Sequence, residues 1–307
     1  MTGKLEVDII GLKLSNPTIL PAGFLGTSKK ILERVANSGA GAVTTKSITV
    51  KAREGHNNPI FIQATKESFL NAVGYSNPGL EAAKKEFEDL KNFPVPVIGS
   101  LVGFDSKEFS YLAENVNGID FKAIEIVLSC PHTPGFGLMA GQGTPEATEE
   151  ITSAVRKKTK LPLFVKLSPS IMNIGDVAKA AEKAGADAIT AVNTLGPGMV
   201  IDVETAKPVL GFKFGGMSGP AIKPIAIRCV YDIYESVKIP IIGVGGITTG
   251  KDAIEMMMAG ASAVGIGTAI YYRGIDVFKK VCDEIIEFLD SHNYSNIKEI
   301  VGMAHRD

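Results

Sequence analysis

Short apolar runs alternate with longer amphipathic stretches along this chain. The apolar runs are rich in Val and Ile and contain few polar residues, which is typical of parallel strands buried on both faces. Eight runs are predicted as strands: Thr18–Ala22, Ala42–Ile48, Val95–Val102, Ala123–Ser129, Leu161–Leu167, Ala188–Asn193, Ile239–Val244 and Ala263–Thr268. Eight helices are predicted to follow them: Ser28–Ser38, Asn77–Lys91, Ser106–Asn115, Pro145–Thr159, Gly175–Ala184, Ile222–Val237, Lys251–Met258 and Val277–Leu289.

Three similar segments indicate a repeated helix-to-strand unit. They are SGAGAV (38–43), AGADAI (184–189) and AGASAV (259–264), and each leaves a predicted helix at a Gly just before a strand. Gly can adopt the left-handed conformation that ends a helix. Eight strands, each followed by a helix, predict an α/β fold of the (β/α)₈ TIM-barrel type. An open doubly wound sheet is the alternative, but no GxGxxG fingerprint opens an early helix.

The segments outside the repeat also carry predictions. LEVDIIGLKLSNP (5–17) has two short alternating runs around Gly11 and predicts an N-terminal β-hairpin that closes the barrel bottom. Residues 51–76 form too long an excursion for a plain connector, which favours a functional loop. The Gly-rich stretch 210–224 is predicted to be another long loop. No linker is evident, so residues 1–307 are predicted to form a single domain.

Composition narrows the class of protein. Hydrophobic residues make up 45% of the chain and the net charge is −1, which favours a folded protein with no partner among nucleic acids or membranes. The cysteines Cys130, Cys229 and Cys282 are far apart, which favours reduced thiols over disulfides or a metal site. No signal peptide or run of eighteen apolar residues is present, so we predict a cytoplasmic protein.

Candidate chemistry lies where the predicted strands end, because the active groups of a barrel gather there. Lys46 and Lys166 stand in two such strand ends. Lysine is rarely buried without a partner, so the pair favours an anionic ligand or a developing negative charge. A lysine that extends along the surface to reach water is the alternative interpretation.

A phosphate site is predicted after the last two strands. Gly245-Gly246 and Gly267-Thr268 occupy the loops in which barrels usually bind phosphate, and glycines let backbone N–H groups approach phosphate oxygens. Tight strand-to-helix turns are the alternative explanation for these glycines. Asn71, in FLNAVGYSNPG, is a weaker candidate that could equally cap a turn.

Cys130 follows the fourth predicted strand and precedes a Gly-rich loop. A metal ligand would need partners that are missing at suitable spacing, and a disulfide does not fit reduced thiols. Packing in the core remains an alternative, since free cysteine often behaves as a small hydrophobe. With an ordinary pKa of about 8.5, the thiol needs only a modest downward shift to act as a base near neutral pH.

Nine segments together resemble class 1 dihydroorotate dehydrogenases. In chain order they are NPTILPAG, TTKSIT, FLNAVGYSNPG, SCP, VKLSP, AVNT, GGMSGPAIKPIAIR, GVGGI and AGASAVGIGTA. The resemblance implies an FMN enzyme that oxidises (S)-dihydroorotate, a small pyrimidine, to orotate in pyrimidine biosynthesis. It also implies a homodimer. In this class the homodimer either acts by itself or associates with an electron-transfer subunit that carries an iron–sulfur cluster and FAD.

The resemblance also implies roles for individual residues. Cys130 would remove the C5 proton while hydride leaves C6 for flavin N5, and Lys46 would contact both flavin and substrate. Lys166 would stabilise negative charge on the reduced flavin. The implied cofactor-binding residues are Ala22, Gly23, Lys46, Ser47, Ser100, Lys166, Val192, Gly219, Gly245, Gly246, Gly267 and Thr268. The implied substrate-binding residues are Lys46, Asn71, Ala72, Val73, Gly74, Tyr75, His132, Asn193 and Thr194.

Three positions depart from the family pattern. Val127 and His132 replace the two asparagines that flank the family's Ser-Cys-Pro, and Ser100 replaces a third. Losing a buried amide partner costs about 1–3 kcal/mol of ligand recognition. SCPH with its following loop also resembles the FMN domain of dihydropyrimidine dehydrogenase, so a flavin enzyme acting on uracil and thymine is the alternative function.

Overall fold

The structure is a computed structural model and describes residues 3–128 and 143–306. In those residues the strands are β1 (Val7–Ile9), β2 (Leu12–Leu14), β3 (Thr18–Leu20), β4 (Ala42–Thr44), β5 (Phe61–Thr65), β6 (Ser68–Asn71), β7 (Val97–Leu101), β8 (Ala123–Val127), β9 (Leu163–Leu167), β10 (Ala188–Ala191), β11 (Leu195–Gly198), β12 (Ile201–Asp202), β13 (Lys207–Pro208), β14 (Gly215–Ser218), β15 (Ile241–Val244) and β16 (Ala263–Gly265). The α-helices are α1 (Lys29–Asn37), α2 (Leu80–Glu86), α3 (Ser106–Asn115), α4 (Pro145–Arg156), α5 (Ile174–Lys183), α6 (Lys223–Ser236), α7 (Gly250–Met258), α8 (Ala269–Arg273) and α9 (Val277–Ser291).

Eight parallel strands form a closed barrel. In chain order they are β3, β4, β7, β8, β9, β10, β15 and β16, and the last pairs with the first. Each corresponds to one of the eight predicted strands, so the predicted TIM barrel is confirmed. The strands of the barrel wall are buried along almost their whole length because helices cover them from outside.

The surrounding helices begin at side chains that suit a helix N-terminus. The Ser28 hydroxyl accepts from the backbone N–H of Ile31 at α1, and the Asp105 carboxylate accepts from Lys107 and Glu108 at α3. Each helix turns one apolar face to the barrel, as α3 does with three fully buried side chains. All eight predicted helices are present, and α8 is an additional short helix.

The predicted N-terminal hairpin is present as β1 and β2. Val7 pairs with Leu14 in an antiparallel register, and both are buried while the residue between Val7 and Ile9 is exposed. The hairpin ends four residues before β3 begins, so it lies at the N-terminal end of the barrel strands. It therefore closes the bottom of the barrel, away from the strand ends that carry the polar residues.

The two predicted loops are wrong in part, because both contribute to a second sheet. Residues 61–71 form the antiparallel strands β5 and β6, and β14 pairs with β6 inside the Gly-rich stretch. This sheet, in the order β11-β14-β6-β5, is called the accessory sheet below. A Cβ at Gly215 would lie 2.3 Å from the carbonyl oxygen of Asn71, so glycine permits this close pairing. Glycine here reflects packing between strands and not a loop.

A membrane span is not evident in the described part of the chain. None of its helices combines the length and the apolar character needed to cross a bilayer.

Candidate active site

A single cavity collects most of the residues predicted for the site. It lies at the C-terminal ends of the barrel strands and under the accessory sheet. Seventeen of the predicted residues line it: Ala22, Gly23, Lys46, Ser47, Asn71, Val73, Gly74, Tyr75, Lys166, Val192, Asn193, Thr194, Gly219, Gly245, Gly246, Gly267 and Thr268. Residues distant in sequence meet here because parallel strands end at one face of the barrel.

Two lysines give the cavity its positive charge. Lys166 lies on β9 and only 4% of it is exposed, while Lys46 follows β4. Burial lowers the pKa of Lys46, and the charge of Lys166 lowers it further. The backbone N–H of Lys46 donates to the carbonyl of Gly26 at 2.8 Å, which fixes where the side chain starts. Neither ammonium group forms an ion pair with any carboxylate in the described residues, so both remain available to an anionic ligand.

Ser100 lies behind the cavity wall and does not line it. Its hydroxyl is 2.9 Å from the hydroxyl of Ser47, and its backbone N–H donates to the Thr45 hydroxyl at 2.9 Å. Ser100 is fully buried, and its hydroxyl contacts that of Ser47, which does line the cavity. Ser100 therefore holds the hydroxyl of Ser47 in position and does not contact the cavity itself.

The accessory sheet supplies the opposite wall. The Asn71 side-chain amide donates to the carbonyl of Gly216 at 3.1 Å, which fixes Asn71 at the end of β6. Gly74 and Tyr75 follow with φ angles of 71° and 58°, a left-handed turn that faces the cavity. Ala72 does not line the cavity, since its side chain packs against Leu70 and its N–H donates to Ile60.

Backbone donors gather at one end of the cavity. Gly246, Gly267 and Thr268 line it, and within the described residues their backbone N–H groups make no hydrogen bonds. Gly246 has a φ angle of 73°, and a Cβ there would lie 2.6 Å from the Cβ of Lys223. Glycine is therefore needed for this loop to take its path. The arrangement leaves donors that suit a phosphate group.

Several lining residues were not predicted from the sequence. They are Pro21, Phe24, Phe61, Val127, Ser218, Ile222, Val244, Ile247 and Gly265. Most are apolar and were not singled out for that reason, although Pro21, Ser218, Ile222, Val244, Ile247 and Gly265 belong to segments that carry the family resemblance. Apolar walls, two lysines and free backbone donors together match the ring system, the polar ring edge and the phosphate of FMN. The residues present therefore fit this cofactor.

The cysteines divide into two groups. Cys130 and His132 lie outside the described residues. Cys229 on α6 and Cys282 on α9 are buried free thiols on the outer helices. Burial raises the pKa of Cys229 to about 11 and that of Cys282 to about 12. Both thiols stay protonated near neutral pH, which makes them unsuitable as bases.

Comparison with known proteins agrees with this geometry. A family profile described as "Dihydroorotate dehydrogenase" matches residues 4–289. The chain is 47% identical over 306 residues to "Dihydroorotate dehydrogenase B (NAD(+)), catalytic subunit" of Methanocaldococcus jannaschii, covering 98% of each. It is 45% identical to the protein of the same name from Pyrococcus abyssi, covering 98% of this chain and 99% of that one.

A solved structure shows the same fold. The crystal structure of a dihydroorotate dehydrogenase (DHODH) from Eimeria tenella in complex with ferulenol superimposes with a TM-score of 0.84 at 25% identity, covering 99% of this chain and 89% of that one. The family profile spans most of the chain, and the relatives match it almost from end to end. This chain belongs to the dihydroorotate dehydrogenase family.

Proposed function

We propose that this chain is the catalytic subunit of an NAD⁺-linked dihydroorotate dehydrogenase, folded as a single FMN-binding barrel domain over residues 1–307. The enzyme oxidises dihydroorotate to orotate in pyrimidine biosynthesis, with FMN as its cofactor. The observation that carries the proposal is the meeting of Lys46, Lys166 and the free backbone donors in one cavity. The dihydropyrimidine dehydrogenase alternative is not favoured, because the relatives are dihydroorotate dehydrogenases over nearly the whole chain.

Cofactor binding is assigned to two parts of the cavity. Gly246, Gly267 and Thr268 would hold the phosphate through their backbone N–H groups. Lys46 and Lys166 would face the polar edge of the ring system, where their charges favour a negative ligand. When bound, FMN supplies the chemistry of a hydride acceptor.

Substrate binding is assigned to the wall opposite the barrel. Asn71 and the turn at Gly74 and Tyr75 would hold the pyrimidine from the side of the accessory sheet, and Asn193 and Thr194 would hold it from the segment that follows β10. Lys46 would attract the carboxylate of the substrate through the positive charge of its ammonium group. Oxidation removes a proton from C5 and a hydride from C6 of dihydroorotate, which leaves a C5–C6 double bond. The thiol of Cys130 is proposed as the base that takes the C5 proton.

The names of the relatives point to a further subunit. "Catalytic subunit" and "NAD(+)" are printed for the Methanocaldococcus and Methanothermobacter proteins. We propose that a homodimer of this chain passes electrons to a partner carrying an iron–sulfur cluster and FAD, in the cytoplasm. Light scattering of the chain alone should give the mass of a dimer, and NAD⁺ reduction should require the added partner. A lone chain that reduces NAD⁺ with dihydroorotate would refute the partner proposal.

The function is tested by anaerobic titration. Purified protein should be yellow, and dihydroorotate should bleach the flavin absorbance while dihydrouracil and dihydrothymine should not. Cys130→Ser should retain FMN and slow the bleaching at neutral pH by at least about a hundredfold, since an unactivated hydroxyl is a far weaker base. Loss of bleaching by dihydroorotate in active, flavin-loaded wild type contradicts the function. Unchanged bleaching in Cys130→Ser contradicts only the assignment of the base.

A further inference from the structure

A second buried charge lies in the barrel beside the lysine pair. Glu125 stands in the middle of β8 and is 4% exposed, the same fraction as Lys166 on the neighbouring strand β9. Among the charged side chains that the structure describes, Glu125 and Lys166 alone are buried. Charged side chains are almost never fully buried unless they are paired, so their occurrence on adjacent strands needs a physical reason.

Strand register shows where Glu125 points. Val127 and Lys166 are opposite each other on β8 and β9, and both line the cavity. Side chains two residues apart on a strand face the same side of the sheet. Glu125 therefore faces the barrel interior, one step below Val127 and diagonal to Lys166. Its direct neighbours on the adjoining strands are Ser100 and Phe164.

The carboxylate of Glu125 is not held by the fold. In residues 3–128 and 143–306, its Oε1 atom makes no hydrogen bond and no basic group lies within ion-pair distance. The Ser100 hydroxyl, next to it in register, is paired with the Ser47 hydroxyl. Leaving a carboxylate buried without direct partners is costly. A side chain that only filled space here would be apolar, so the charge itself is the feature to explain.

We propose that Glu125 is the internal counter-charge of Lys166 and that the two residues together set the reduction potential of the flavin in the cavity. Glu125 does not touch the cavity and is thus a positioning residue. This inference rests on the proposed FMN site. Without Glu125, Lys166 would favour the more negative, reduced form of the cofactor more strongly. With Glu125 ionised, part of the positive charge of Lys166 is offset.

The expected size of the effect follows from Coulomb's law. For two unit charges on the order of 10 Å apart, an effective dielectric constant of about 20 gives an interaction energy that corresponds to roughly a tenfold change in an equilibrium constant. Here that equilibrium is the reduction of the bound flavin. For a two-electron couple, a tenfold change corresponds to about 30 mV. A change of this size can be measured by equilibrating the flavoprotein with redox dyes.

The primary test compares Glu125→Gln with the wild type. Glutamine keeps the shape and removes the charge. We expect the preference of the Glu125→Gln variant for reduced over oxidised FMN to rise about tenfold. This corresponds to a reduction potential about 30 mV more positive than that of the wild type. Thr190→Val is the matched control, because Thr190 is also buried beside Lys166 with a hydroxyl that has no partner in the described residues, yet it is neutral. Its potential should equal that of the wild type. An unchanged or more negative potential in Glu125→Gln overturns the proposal.

A second pair of variants covers the case in which Glu125→Gln fails to fold. Lys166→Met leaves Glu125 without its neighbouring positive charge, and the double variant Lys166→Met/Glu125→Gln carries neither buried charge. Removing two opposite buried charges together is often tolerated better than removing one of them. The double variant should have a more positive potential than Lys166→Met. Equal potentials in the two variants overturn the proposal.

The two levels of inference fail in different ways. A colourless wild-type protein that binds no FMN on reconstitution refutes the proposed cofactor site itself. A yellow protein whose flavin reduction potential is the same in the wild type and in Glu125→Gln refutes only the role of Glu125.

Discussion

Two lysines near the cavity show how differently one residue type is used. Lys223, at the start of α6, has its ammonium group 2.7 Å from Asp252 Oδ1 and 2.7 Å from Glu255 Oε2. Burial alone would lower the pKa of Lys223, but its hydrogen bonds to these carboxylates outweigh burial and raise it. At Lys46, burial and the charge of Lys166 both lower the pKa.

The difference separates a structural charge from a functional one. Lys223 is neutralised within the fold, and its backbone packs against Gly246. Lys46 and Lys166 have no carboxylate in direct contact among the described residues, so a direct partner for either ammonium group would be a ligand. A buried positive charge that the fold does not pair is a stronger sign of a binding site than a paired one.

The largest effect is expected when each lysine loses its charge. Lys46→Met should slow flavin reduction by dihydroorotate by about 10²–10³-fold, because it removes the charge that we propose contacts flavin and substrate. Lys223→Met should change that rate by no more than about threefold and lower the free energy of unfolding by about 1 kcal/mol. Rapid-mixing kinetics and thermal melts measure the two quantities. Comparable rate losses in both variants would break the distinction.

A smaller effect is expected on the structural side. Asp252 Oδ2 accepts hydrogen bonds from the backbone N–H groups and hydroxyls of Thr248 and Thr249, at 2.8–3.0 Å, which caps α7. Asp252→Asn should lower the free energy of unfolding by about 2–3 kcal/mol. Glu255→Gln is the matched control, since it loses only the contact with Lys223 and should cost under about 1 kcal/mol. Equal losses would show that the cap is unimportant.

The loss at Asp252 should depend on pH. Burial would raise the pKa of Asp252, but hydrogen bonds from Lys223, Thr248 and Thr249 outweigh it and hold the pKa well below its usual range. Its stabilisation is therefore complete above the unfolded pKa of about 4 and is lost as the pH falls below it. The stability gap between wild type and Asp252→Asn should be constant from about pH 5 to pH 8 and narrow below about pH 4. A gap that widens in acid would contradict this.

The barrel could be predicted from the sequence because its signals are local. Each strand is a short Val- and Ile-rich run, and three of the returns to the sheet carry a Gly near the helix end. The accessory sheet could not be predicted for two reasons. The sequence of β14 is Gly-rich and typical of a loop, and its partner β6 lies about 145 residues away in the chain. Glycine marks flexible chain in one context and close strand packing in another, and sequence alone does not distinguish them.

Placement of the site was predictable to a similar degree. Polar residues at strand ends, such as Lys46, Lys166 and Asn193, meet in the cavity because the barrel brings strand ends together. The position of Ala72 outside the cavity depends on which way its side chain faces, and a shift of one residue reverses that. Ser100 is level with Glu125, below the cavity, and strand register sets that depth. Apolar lining such as Val127 gives no chemical signal in a sequence rich in valine.

The accessory sheet also bears on the order in which this protein folds. The bond between Asn71 and Gly216 closes a loop of 145 residues. Seven of the eight neighbouring pairs in the barrel join strands that follow one another in barrel order, and only the closing β16–β3 pair spans a longer segment. Contacts between distant residues form slowly because the entropy of loop closure is lost before the contact contributes. Most of the barrel wall can therefore assemble from local units before the accessory sheet exists. FMN should then be captured late, when β6 and β14 come together over barrel strands that have already paired.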